Sequence, residues 1–105
     1  MFREITIKTK DGAIQLAKGY DGQSVFKLEG NWYFDPAAVH MQYLKVTDRT
    51  YYCPHKGTCF WIDLEAPGMS AKNVAWVYTV LKPHYEHIKD RIAFYGGTSA
   101  VTREG

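Results

Sequence analysis

At 105 residues the chain has room for one domain, and 46% hydrophobic with 23% charged residues is the composition of an ordinary globular one. A net charge of +2, from 13 Lys and Arg against 11 Asp and Glu, excludes a disordered polyelectrolyte and offers no basic stripe for nucleic acid or an anionic membrane surface. Area scaling gives about 17,000 Å² for the unfolded chain and roughly 6,000 Å² for the folded one, so a core forms without metal or disulfide.

The opening Met1-Phe2-Arg3-Glu4-Ile5 lacks the apolar centre of a signal peptide, and no run approaches the ~18 apolar residues of a membrane span. A cytoplasmic protein is expected, with Cys53 and Cys59 as free thiols and no membrane partner. Turn signals then recur about every ten residues, an all-β spacing: Asp11-Gly12, Asp21-Gly22, Gly30-Asn31, Thr47-Asp48-Arg49, Pro54 to Gly57, Ala66-Pro67-Gly68 and Gly96-Gly97. Strands are expected around Ile5 and Ile7, Ile14 and Leu16, Val25 to Leu28, and Trp32 with Phe34, pairing antiparallel in sequence order. Asp35-Pro36-Ala37-Ala38 supplies a capping Asp and a first-turn Pro for one or two helical turns ending before Tyr43. Further strands are expected over Tyr43 to Val46, Thr50 to Cys53, Cys59 to Leu64, Asn73 to Val80 and Arg91 to Tyr95, with a second short helix after Pro83. Residues 1–97 form the domain, and Thr98 to Gly105 read as a flexible tail.

So few helical residues cannot cover both faces of a parallel sheet, which makes a mainly β fold of packed antiparallel sheets the expectation. Such a core cannot fully enclose three Trp, eight Tyr and five Phe, so some rings are expected to line a concave surface. In Ala75-Trp76-Val77-Tyr78, Trp76 and Tyr78 share one face of a strand, as core rings or as the floor of a ligand pocket.

Cys53-Pro54-His55-Lys56-Gly57 places a thiol, an imidazole and an ammonium at a strand end. A nearby cation favours the thiolate, so Cys53 and Lys56 are the candidates for catalysis, as nucleophile and electrostatic stabiliser. The alternatives are a small buried Cys and a solvated turn Lys. His84 and His87 complete a numerical Cys₂His₂ set, but five residues separate Cys53 from Cys59, so no zinc is expected. Asp63 and Glu65 lie two apart on a strand, as Mg²⁺ ligands or as plain solvated acids.

Trp32-Tyr33-Phe34-Asp35, Cys53-Pro54-His55-Lys56-Gly57, Ala75-Trp76-Val77-Tyr78 and Ile88 through Ala93-Phe94-Tyr95 occur in the order seen in the domain of unknown function 427 (DUF427) family. The chain resembles its short cyanobacterial members. The resemblance implies a β-tent of two antiparallel sheets, Mss4-like, with one or two short helices. The zinc-binding members of that wider group use paired Cys-x-x-Cys motifs, which this chain lacks, so a metal-free relative is implied. A nucleotidyltransferase label is also attached to the family, and Asp63 with Glu65 is the acid pair available for it. Thr79, where a Pro often follows the Trp-x-Tyr segment, and Phe60-Trp61, in place of a Tyr pair, depart from the pattern near the expected pocket.

The expected function is binding of a small, anionic ligand over Trp32, Tyr52, Trp76, Tyr78 and Tyr95, with Cys53, His55 and Lys56 beside it. An enzyme acting on a phosphate- or carboxylate-bearing substrate through the same pocket is the alternative. A protein interaction module, self-association included, is the third reading.

Overall fold

Alternating apolar residues between tight turns build nine strands, described in a computed structural model over residues 3–96 and 100–104. They are β1 (Glu4–Thr9), β2 (Gln15–Tyr20), β3 (Val25–Leu28), β4 (Asn31–Phe34), β5 (Leu44–Cys53), β6 (Gly57–Ala66), β7 (Met69–Leu81), β8 (Ile92–Phe94) and β9 (Val101–Glu104). Two antiparallel sheets result: a small one in the order β2-β1-β9 and a six-stranded one in the order β3-β4-β8-β7-β6-β5. The mainly β expectation therefore holds.

The turns account for the local pairing. Glu29-Gly30 joins β3 to β4 with both residues at positive φ, 51° and 86°, as the primed hairpin turns require. Pro67-Gly68 closes β6 onto β7, with Ala66 paired to Met69. The expected pairing in simple sequence order fails between β2 and β3, which enter different sheets. Ser24 Oγ accepts the Tyr20 N–H at 2.9 Å, and Gly22 N–H donates to the Val25 carbonyl at 2.8 Å. The connecting loop thus ties down its own polar groups rather than forming a hairpin.

The expected short helices are single 3-10 turns at Pro36–Ala38, Met41–Tyr43 and Glu86–Ile88. Asp35 caps the first, its carboxylate accepting the Ala37 N–H at 3.0 Å, and extended Val39 ends it. Positive φ at His84 and Asp90 brackets the last, leaving no length for an α-helix. None of the helices among the described residues is long and apolar enough to cross a membrane.

The tail expectation is also corrected. Val101–Glu104 form β9, hydrogen-bonded along β1, and Val101 is buried. Its alternation was hidden because only one apolar side chain, Val101, marks the strand. Thr98, Ser99 and Gly105 lie outside the described residues.

The main core fills the space between the sheets: Ile5, Ile7 and Leu16 from the small sheet meet Phe34, Ile62, Leu64 and Phe94 from the large one. On the other face of the large sheet lies a second cluster of Tyr33, Cys59, Tyr78, Ile88 and Ala93. The chain leaving β7 returns over that face before entering β8, and Asp90 N–H bonds the Tyr78 carbonyl at 2.9 Å. One face of the large sheet is therefore sealed by another sheet, and the other is only partly roofed.

Candidate functional site

Because side chains alternate across a strand, every second residue of the large sheet points to this partly roofed face. Register arranges them in rows. Tyr33 of β4 stands opposite Ala93 of β8, Ala93 opposite Trp76 of β7, and Trp76 opposite Trp61 of β6. Beside them Tyr51 of β5 stands opposite Cys59 of β6, and Cys59 opposite Tyr78 of β7. Each row puts a small residue between larger ones. Trp76 Nε1 can thus reach over Ala93 to donate to the Tyr33 hydroxyl at 3.3 Å.

The rings brace one another edge to face: Trp61 with Trp76 at 6.0 Å between centroids, Tyr95 with Trp61 at 5.9 Å, and Tyr95 with Trp76 at 6.4 Å. Between them opens a cleft of about 750 Å³. Tyr33, Tyr51, Trp61, Trp76, Tyr78 and Tyr95 supply its aromatic lining, and Cys53, Cys59, Lys56, Asn31 and Asn73 its smaller polar groups.

The Cys53 end is shaped by the turn Pro54-His55-Lys56 and by Gly57, whose φ is 133°. A Cβ at Gly57 would overlap the Val80 carbonyl oxygen, so only glycine lets β7 lie this close. Burial pushes the Cys53 thiol pKa up, but the N–H groups of Lys56 and His55, the Lys56 charge and the Tyr78 hydroxyl outweigh it and set it below the ordinary thiol value. Cys59 is deeper, and desolvation raises it. Burial, followed by the two thiols as neighbouring charges, pushes the Tyr78 phenol strongly up, keeping it a protonated donor.

Lys56 Nζ forms an ion pair with Glu29 from the β3–β4 turn and lies 5.7 Å from the Tyr85 ring centroid. Tyr85 in turn donates its hydroxyl to Glu29 Oε2 at 3.2 Å. Burial opposes the lysine charge, yet the Glu29 hydrogen bond and the neighbouring negative groups hold its pKa above the usual lysine value. Three separate connections thereby meet at this end of the cleft.

Of the expected binding residues, Cys53, Lys56, Trp76, Tyr78 and Tyr95 line the cleft. Trp32, Tyr52 and His55 do not. Trp32 packs against the main core, with Lys27 Nζ 5.5 Å from its ring centroid. Tyr52 is exposed, with Lys82 Nζ 5.3 Å from its ring, and His55 is exposed in the turn. Parity explains Trp32 and Tyr52: each is next to a residue of the cleft and so points the other way. Applying that alternation from Trp32 to Tyr33, and from Cys53 to Tyr51, identifies the missed neighbours, but the sequence carries no register to say which face is which.

His87 stacks on Phe26 at 5.4 Å between ring centroids. Among the described residues no three His, Cys, Asp or Glu side chains converge as a metal-holding group. Asp63 is engaged by Arg49 and by the Asn73 N–H, the latter at 2.9 Å, while Glu65 is exposed.

Residues 4–105 match the family described as domain of unknown function (DUF427). None of the curated proteins compared with the chain matches it.

Proposed function

The chain belongs to the DUF427 family, and on that premise we propose that it binds a small planar molecule in the aromatic cleft, with an acceptor or anionic group directed to Lys56. The observation that carries this reading is the ring-walled cavity itself, of about 750 Å³, within the range of small-molecule sites. Tyr33, Trp61, Trp76 and Tyr95 present flat apolar surface and phenolic or indole edges without collapsing onto one another. Lys56 shares its charge with Glu29, so it supplies direction and hydrogen bonds more than net attraction, which suits a single carboxylate better than a polyphosphate.

The test is a thermal-shift screen of aromatic carboxylates, nucleotides and inorganic phosphate against the parent protein and Lys56→Ala. A ring-bearing carboxylate should raise the parent melting temperature and raise that of Lys56→Ala less. Failure of every ring compound to shift the parent would remove the reading. Catalysis at Cys53 is a second reading, supported by the N–H groups of His55 and Lys56 that favour its thiolate and by its position on the cleft wall. Turnover of an activated ester lost in Cys53→Ser would support it, and unchanged turnover would dismiss it.

A further inference from the structure

We propose that Asn73 selects the occupant of the cleft by presenting amide N–H donors, so that the bound molecule carries a second acceptor at the end away from Lys56. This rests on the reading that the cleft takes a planar molecule. Three neighbouring strands depart from regular pairing to assemble the group responsible. β5 slips register between Val46 and Thr50, and the β6–β7 ladder slips between Ile62 and Leu64. Bulges re-aim side chains, and these bring together Arg49, Asp63 and Asn73.

Arg49 donates Nε and Nη2 to Asn73 Oδ1 at 3.3 and 3.0 Å, and also holds Asp63. Two donors occupy the acceptor sites of that carbonyl oxygen, and a guanidinium, having no acceptor, fixes which side of the amide faces it. Nδ2 is thereby left as the free side of the amide, with no protein acceptor among the described residues, on a residue that lines the cleft. Asp63 accepts the Asn73 backbone N–H at 2.9 Å, which holds the residue at φ 58°, a conformation that asparagine tolerates better than most side chains. The Arg49 and Asp63 charges offset each other, so this pole is a neutral donor and fits a carbonyl oxygen.

The bulge shortens β7 between Asn73 and Tyr78, so the span is read on β6: Asp63, which bonds Asn73, lies four residues from Cys59, the partner of Tyr78 at the Cys53 and Lys56 end, about 13 Å at strand rise. Trp76 lies between Asn73 and Tyr78. Two linked aromatic rings with an acceptor at each end, and hydrogen bonds of about 2.9 Å beyond them, cover that span. The chemical class is therefore an elongated aromatic carboxylate with a carbonyl at its far end.

The experiment is calorimetric titration of the parent and Asn73→Asp with biphenyl-4-carboxylate and with its 4′-acetyl and 4′-amino derivatives. The parent should bind the acetyl compound about three- to tenfold tighter than the unsubstituted one, as one good hydrogen bond provides. Asn73→Asp keeps the oxygen for Arg49 but turns the free side into an acceptor, so the preference should pass to the amino compound. Equal affinity of the parent for all three overturns this inference while leaving the cleft reading standing. Binding of none of them by the parent overturns both. Should Asn73→Asp fail to fold, Asn73→Gly retains the positive φ and removes the amide, and must abolish the acetyl preference. Persistence of that preference in Asn73→Gly overturns the proposal.

Discussion

Gly57→Ala measures how closely the thiol end of the cleft is built against β7. Two costs add. The residue sits at φ 133°, a region essentially confined to glycine, where another residue costs on the order of 1–3 kcal/mol. The new methyl would also overlap the Val80 carbonyl oxygen and lie 3.1 Å from the Leu81 Cα, all backbone atoms that cannot rotate away. Relief requires β7 to move, straining the neighbouring bond from Lys82 N–H to the Lys56 carbonyl, at 2.7 Å. Losing one such bond adds about 1 kcal/mol. A loss of about 3 kcal/mol is expected, read as a lower urea midpoint at unchanged slope. Gly30→Ala is the control, since its φ of 86° carries a conformational cost but a Cβ there meets nothing within 4 Å. Equal losses for the two variants would refute the argument that backbone contact fixes this corner.

Two further outcomes are expected. Cys53 is set below the ordinary thiol value, about 8.5, so its alkylation by iodoacetamide should half-saturate at lower pH than that of glutathione. The thiolate forms as pH rises, and Lys56→Met should move that midpoint upward; buried Cys59 should remain unmodified in the folded protein, as peptide mass mapping would show. An unshifted midpoint contradicts the role given to Lys56 and the turn N–H groups. Deletion of residues 98–105 removes β9, buried Val101 and the Lys10 N–H bond to the Ala100 carbonyl at 2.9 Å. It should cost about 2–4 kcal/mol by urea unfolding, and a midpoint equal to that of the full chain would show that β9 contributes nothing.

Local chemistry made much of the fold legible. Asp35 and Pro36 mark their turn as expected, and the Glu29-Gly30 and Pro67-Gly68 hairpins lie where turn residues separate apolar runs. The boundary between the sheets was not legible, because it depends on Ser24 taking a backbone N–H that an ordinary hairpin would use. For the site, Trp76 and Tyr78 declare a shared face through alternation, and Lys56 through its turn. Trp61, Tyr33 and Asn73 join them only through register with other strands, a long-range property. The bulges that gather Arg49, Asp63 and Asn73 have no mark in composition at all.

The pairing of β1 with β9 sets the order in which the molecule can assemble. Thr9 pairs with Val101, ninety-two positions along the chain, whereas Cys53 pairs with Gly57 across a turn. Closing the longer loop costs about 3 kcal/mol more in chain entropy. The β5–β6–β7 meander and the β1–β2 hairpin can therefore form early, and the β1–β9 pairing closes last. Leu64 and Phe94 are covered by Ile5, Ile7 and Leu16, so until the β1–β2 hairpin docks they remain open to solvent or to another chain, and that interval is when this protein is most exposed to aggregation.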